Sequence, residues 1–580
     1  MASKPGPEVR KLQSLVAVAR GDEPADLVLR GGQVVDVFTG EVRKADVALK
    51  DGLVAGVGFG YEKAPVLDVS GQYVAPGFID GHIHIESSTL PVHEFVRLCL
   101  VHGTTAVVAD PHEIANVLGQ RGVKYLLDAT KDLPVDVFLT VPSCVPSTEM
   151  ETSGARLTAA DIGRLLKLDR VVGLGEMMNY PGVIFGDKEV MAKLIAARRA
   201  GRIIDGHAPA VVDRWLQAYA AAGVGSDHET VGREEAKEKL RAGMRLFVRE
   251  GSAARNLAGL AGIVNDFNLR RCCLVTDDKH PEELLREGHL DATLRKAVAQ
   301  GLSPVAAVQM VTLNPAEHFG LGRRGAVAPG WRADLVVLEE LSRFRVRWVL
   351  KSGKPVAQDG RSLVGLKPAR DKTVLGTVRP GVLTLKRFAI KAEGEMCRVI
   401  RIVPDQIVTE QRMVKPKVVN GFVEADPERD ILKLAVIERH KATGRTGLGF
   451  VSGFGLKHGA LGTTVAHDSH NMIIVGTNDQ DMLVVARELK RVGGGYAAAV
   501  RGKAAAVLPL PIAGLMSNEG ADKVVAHLAQ LLSKAHVWGS RLDNPFITLS
   551  FLSLPVIPEL KLTDMGLVDV SKFEIVSLFA

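Results

Sequence analysis

A chain of 580 residues, 46% hydrophobic and 24% charged, is composed like an ordinary globular protein and is long enough for three or four domains of about 150 residues each. The formal charge of +7 is carried by scattered basic residues with only 5% aromatics, which argues against nucleic-acid binding. No apolar run of about eighteen residues is present to cross a membrane, and five cysteines without paired spacing (Cys99, Cys144, Cys272, Cys273, Cys397) argue against a disulfide framework.

At the N-terminus the run Leu12 to Ala19 lacks the small-residue cleavage site of an export signal, so a cytoplasmic, reduced chain is expected. From Asp26 onward, short β-rich runs separated by Gly and Asp, including Ala45–Leu49 and Leu53–Val57, predict a small antiparallel sheet. Similar text returns at Ala333–Leu338 and Val346–Leu350. Neither part has enough apolar surface alone, so residues 1–75 and 325–370 are expected to form one discontinuous β-sandwich domain.

Between them, residues 76–324 alternate strand and helix eight times, the pattern of a (β/α)8 TIM-like barrel. The expected strands are Tyr73–Ile79, Thr105–Ala109, Val135–Thr140, Val171–Leu174, Arg202–Asp205, Val224–Ser226, Arg245–Val248 and Cys272–Thr276. The intervening helices include Val117–Thr130, Ala254–Phe267 and Pro281–Ala299. Residues 371–580 read as a C-terminal α+β domain, with helices at Gln480–Arg491 and Ala521–Ser533 and a Gly-rich loop from Gly447 to Gly462.

Most of the barrel strands run into titratable residues at their carboxyl ends, where barrels of this kind place catalysis. His82 and His84 lie two apart in an extended segment and so face one way. Glu176, His207, His228 and Asp277 follow strands four, five, six and eight. Mixed imidazoles and carboxylates suit Zn, Mn or Fe and disfavour Ca. One catalytic zinc takes about three protein ligands and a water, so this larger set fits a pair of ions bridged by Glu176 and a hydroxide. Phosphate-loop, nucleophile-elbow and His-Glu-x-x-His signatures are all missing.

The passage Pro76-Gly-Phe-Ile-Asp-Gly-His-Ile-His84, with the later ligands and Gly330-Trp-Arg-Ala-Asp-Leu-Val-Val337, resembles the amidohydrolase superfamily. Within it the chain resembles the bacterial-type adenine deaminases over nearly its full length. That likeness rests on His82-Ile-His-Ile-Glu-Ser-Ser88, Ala109-Asp-Pro-His-Glu-Ile-Ala-Asn-Val117, Gly175-Glu-Met-Met-Asn179 and Arg249-Glu-Gly-Ser-Ala-Ala-Arg-Asn256. Ala466-His-Asp-Ser-His-Asn471 and Gly476-Thr-Asn-Asp-Gln-Asp-Met482 extend it into the last domain.

The resemblance implies hydrolysis of adenine to hypoxanthine and ammonia, in purine salvage, with two divalent ions, Mn first and Fe or Zn as alternatives. His82 and His84 would hold one ion and His207 and His228 the other. Glu176 would bridge them, and Asp277 would ligate and accept a proton from the attacking water. Glu86, Asp110, His112 and Glu113 are candidates for further acid–base work, and His112, Glu113 and Asp278 for binding the base; each could instead only orient the ligands. A homodimer or higher homo-oligomer is expected.

Another cyclic-amide or N-acyl hydrolase of the superfamily is the nearest rival, but such enzymes often bridge their metals through a carbamylated lysine where this chain has Glu176. A scaffold that has lost its chemistry should lack ligands, and none is lacking. In the last domain, His467, Asp468 and His470 could serve packing, closure of the site or a further metal, and spacing does not choose among these.

Overall fold

The computed structural model describes residues 6–61, 64–404 and 406–580. It opens on a helix, Pro7–Arg20, where the sequence suggested no element; Gly21, at φ +85°, ends it. Two sheets follow, packed on a shared core that includes Leu29, Val34, Val47, Val74, Leu335 and Leu350. The discontinuous pairing is direct, because Tyr73–Pro76 lies antiparallel to Leu335–Leu338 and parallel to Gln33–Asp36. The sheets are therefore mixed rather than antiparallel.

The barrel strands are β1 (Phe78–His84), β2 (Thr104–Ala109), β3 (Asp136–Val141), β4 (Val171–Met177), β5 (Ile203–Gly206), β6 (Ser226–Asp227), β7 (Arg245–Arg249) and β8 (Cys272–Val275). Ladder pairings between neighbours are parallel from β1 to β5 and from β6 to β8. The bond from Gly225 N–H to Ile204 C=O (2.9 Å) joins β5 to the approach of β6, and Asp277–Asp278 pairs back onto β1.

The expected first strand, Tyr73–Ile79, divides between two sheets. Tyr73–Pro76 stays in the β domain, and the barrel strand starts at Phe78 and runs through both histidines. Gly77 is the joint, since a Cβ there would lie 2.4 Å from the Thr105 side chain. Pairing of β1 with β2 then shifts register between Asp80 and Ile83. Ile79 packs inside the barrel with Val108, Phe247 and Val275, whereas Ile83 packs outside with the helices. Without the shift, strict alternation would turn His82 and His84 away from the interior side that Ile79 faces.

Three expected helices are shorter or broken. Val117–Thr130 becomes His112–Leu118 and Gln120–Ala129, parted at Gly119 (φ +60°), and Pro281–Ala299 breaks around Gly288 (φ +109°). Ala254–Phe267 keeps one turn, Leu257–Leu260, and a 3-10 segment; Gly259, Gly262 and Asn265 give it poor helix propensity.

The C-terminal domain is built on an eight-stranded sheet backed by the helix Asp479–Val492. Thr446–Ser452 and Ala460–Thr463 are strands of that sheet, so much of the expected Gly447–Gly462 loop is ordered ladder. Glycine is required there by close approach: a Cβ on Gly447 would sit 1.8 Å from the Thr563 carbonyl oxygen, and one on Gly462 would meet Val485 at 2.5 Å. Along Met472–Gly476 the side chains alternate. Met472 and Ile474 face the helix, while Ile473 and Val475 join a core continuous with the barrel's. Among the described residues no helix is long and apolar enough to cross a membrane.

Candidate metal centre

All six residues expected as ligands converge at the carboxyl end of the barrel. His84 Nδ1 lies 2.9 Å from the Asp110 carbonyl, which can only accept, so that nitrogen carries the proton. Its Nε2 faces Glu176 Oε1 at 2.9 Å and Asp277 Oδ1 at 3.0 Å. His82 repeats the arrangement, with Nδ1 3.5 Å from Asp205 Oδ2 and Nε2 3.3 Å from Glu176 Oε1. On the other side, His207 Nδ1 is 2.8 Å and His228 Nε2 3.6 Å from Glu176 Oε2. One carboxylate therefore presents each of its oxygens to a different histidine pair.

Asp277 stands just past β8 in the left-handed region, at φ +59°, a conformation that aspartate tolerates better than most residues. Its Oδ1 faces both histidines of β1, and its Oδ2 accepts from Arg249 Nη1 at 2.9 Å. Arg249 also grips Glu229, whose Oε1 is 3.5 Å from His228 Nε2. Burial opposes ionisation of Asp277, but the His84 hydrogen bond and the Arg249 charge hold its carboxyl well below the usual range.

Supporting contacts fix these positions. Asp110 Oδ2 accepts from the Glu176 backbone N–H at 2.8 Å and fills the space a Cβ on Gly175 would need, 2.0 Å away. Buried Lys239 donates to Asp227 Oδ2 (2.9 Å), Thr230 Oγ1 (3.0 Å) and the Ala208 carbonyl (2.7 Å), tying together the turns that carry His207 and His228.

The other expected residues lie around this cluster. His112 Nδ1 is 3.6 Å from Glu176 Oε1, and its Nε2 is 3.4 Å from Glu113 Oε1. Glu86 accepts from the Ile114 N–H on Oε1, its Oε2 has no hydrogen-bond partner, and burial pushes its carboxyl up to about 7. Asp278 accepts from Ser87 Oγ at 2.5 Å. Glu86, Glu113 and Asp278 share a cavity wall with His467, Tyr496 and Phe551 of the C-terminal domain.

Sequence reasoning overlooked Arg249, Glu229, Lys239, Tyr496 and Phe551 as contributors. Arg249 and Glu229 had a legible signal, since each sits at a barrel strand end beside a named motif. Lys239, on a charged helix, reads as solvated. Arg249→Met leaves Asp277 and Glu229 buried without their counter-charge and should cost about 3–5 kcal/mol in denaturant unfolding; a loss under about 1 kcal/mol contradicts this account of Arg249.

The cluster fits divalent cations. His82 Nε2 and Glu176 Oε1 are buried without hydrogen-bond partners, and His84 Nε2 lies within 3.0 Å of two carboxylate oxygens. Among the described residues, groups suited to hold a cation are His82, His84 and Glu176; Glu176, His207 and His228; His82, His228 and Asp277; His84, Asp277 and Asp278; and Asp110, His112 and Glu176.

A family model described as the amidohydrolase family matches residues 73–356, and one described as the adenine deaminase C-terminal domain matches residues 406–574. The chain is 48% identical over 565 residues to an adenine deaminase of Desulfatibacillum aliphaticivorans, covering 97% of this chain and 99% of that one. It is also 48% identical over 571 residues to an adenine deaminase of Methanothrix thermoacetophila, covering 98% and 100%. With adenine deaminase 2 of Carboxydothermus hydrogenoformans the identity is 46% over 569 residues, 98% and 99% of the two chains.

Proposed function

The chain belongs to the adenine deaminase family, and we propose on that premise that the centre described above carries out the hydrolysis of adenine to hypoxanthine and ammonia. The observation that carries the reading is Glu176, one buried carboxylate shared oxygen by oxygen between two histidine pairs.

His82, His84, His207, His228, Glu176 and Asp277 would hold two divalent ions, with manganese(II) expected ahead of iron(II) or zinc. Bound there, the ions would supply the Lewis acidity that makes water a nucleophile near neutral pH. Water adds to purine C6 and the C6–N6 bond breaks, so one proton must leave the water and another must reach the departing nitrogen.

Asp277 takes the first proton on Oδ1, because Arg249 occupies Oδ2. His112, beside Glu176, is placed to deliver a proton to the leaving ammonia. Glu86, its carboxyl raised to about 7 by burial, can reach the base protonated and donate to a ring nitrogen. Asp278 shares the cavity wall and offers the base an acceptor. Glu113 is held by imidazoles on both oxygens and anchors His112 rather than moving a proton itself; Asp110 likewise orients Glu176. The reading places the enzyme in cytoplasmic purine salvage.

The test is ammonia release from the metal-loaded protein across adenine, other aminopurines, dihydropyrimidines and N-acyl amino acids, with metal content measured alongside. Adenine should be the preferred substrate, converted to hypoxanthine with one ammonia per turnover and two ions per chain. Preference for a cyclic amide, or a loaded protein inert on the whole panel, sinks the reading.

A further inference from the structure

We propose that His467 and His470 of the C-terminal domain are positioning residues for the reaction: they hold the carboxylate of Glu113, which in turn holds the His112 ring against Glu176. The proposal rests on the adenine-hydrolysis reading for its readout.

Both histidines sit on the segment between the strands Ala460–Thr463 and Met472–Gly476. That segment is pinned at several points. The His470 N–H donates to the Ala466 carbonyl at 2.7 Å, and His440 Nε2 lies 2.7 Å from the Ser469 carbonyl. Asn471 Nδ2 donates across to the Thr152 carbonyl of the barrel at 2.8 Å. His470 itself is at φ +56°, which few non-glycine residues adopt, and its ring has no exposed surface.

The ring nitrogens can be told apart. The Ala466 backbone N–H donates to His470 Nδ1 at 3.1 Å, so that nitrogen bears no proton. The proton of His470 is then on Nε2, which abuts Glu113 Oε2. A nitrogen in that state is a donor to Glu113 and not a metal ligand, which removes the further-metal alternative for this pair. His467 Nδ1 lies 2.8 Å from Glu113 Oε1, and its ring stacks on Phe551 with centroids 4.6 Å apart. Burial works against a charge on His467, but the Glu113 carboxylate beside it pushes its pKa up to about 9.

Each oxygen of Glu113 thus faces an imidazole from a domain other than its own. Its remaining close neighbour is His112 Nε2, whose opposite nitrogen faces Glu176. A glutamate without those partners would sample several rotamers, and His112 would lose its backstop. Seating of the C-terminal domain is in this way a condition for placing a barrel side chain at the reacting centre.

The test is a mutant cycle on the metal-loaded full chain, reading kcat and KM for adenine, metal content and thermal midpoint. Activity of the wild-type chain on adenine is established first; its absence sinks the functional reading and not the positioning role, and the cycle is then run on whichever panel compound is hydrolysed. His467→Ala and His470→Ala carry no donor toward Glu113, and each should lower kcat about 10- to 100-fold, the worth of a hydrogen bond to a charged group. KM and metal content should change little.

His467→Asn and His470→Gln place an amide N–H where Nδ1 of His467 and Nε2 of His470 stand, and should recover most of that loss, to within about threefold of wild type. In a Glu113→Gln background the alanine changes should cost almost nothing more. Losses that multiply unchanged in that background overturn the proposal, as do amide variants no better than alanine ones at equal thermal midpoints. Alanine variants with wild-type kcat overturn it as well. If an alanine variant does not fold, the amide variants decide, since a kcat more than about tenfold below wild type with intact metal content is then the overturning result.

Discussion

Glu176→Gln is expected to lower kcat on adenine by at least about 100- to 1,000-fold and to reduce bound metal below two ions per chain. The replacement keeps shape and volume, so the backbone contacts of β4 with Asp110 and Ser143 persist. It removes the charge and turns one of the two acceptor oxygens into an amide that points N–H groups at imidazole lone pairs. Because Oε1 serves His82 and His84 and Oε2 serves His207 and His228, either orientation of the amide spoils one pair. Steady-state rates with elemental analysis of the same preparation check this. Near-normal turnover with two ions per chain would falsify the shared-carboxylate assignment.

Asp277→Asn should separate holding a cation from moving a proton. The expected result is a loss in kcat of about 100- to 10,000-fold, the usual worth of a general base, with KM little changed and at least one ion retained. Retention is expected because His82, His84, Glu176, His207 and His228 are untouched. The amide still offers an acceptor toward the histidines but takes up no proton, and its NH2 end cannot accept from Arg249. Turnover within about tenfold of wild type would place the base elsewhere, with His112 the next residue to examine.

Much of this protein is legible in its sequence, and the reason is geometric. In a parallel barrel each strand delivers the residue that follows it to one rim, so a one-dimensional pattern of strand, then His, Glu or Asp, is already a statement about a shared location. His82, His84, Glu176, His207, His228 and Asp277 needed only that rule, together with the period of two in an extended chain. The helix expected at Gln480–Arg491 was readable for a similarly local reason, the Gly493 that ends it in the left-handed region; the structure extends it to Asp479–Val492 and shows Asn478 capping its start.

What local pattern does not encode is pairing across long separations. The register shift that aims His82 and His84 inward arises where β1 meets β2, and the extent of β1 depends on Pro76 being claimed by Leu335, about half the chain away. The Gly447–Gly462 stretch reads as loop because glycine has poor strand propensity. Its glycines are there because Thr563 and Val485 leave no room for a Cβ, and those neighbours are known only from the fold. Lys239 on its charged helix looked like solvent-facing surface until Asp227 and the Ala208 carbonyl came within hydrogen-bonding distance of it. The clearest case is Glu113, whose partners His467 and His470 lie more than 350 residues further along the chain. The sequence determined which chemistry the barrel rim can hold, because strand periodicity is local. Only the tertiary structure decided how the C-terminal domain enters that chemistry, because an ion pair between distant segments exists only after both have folded.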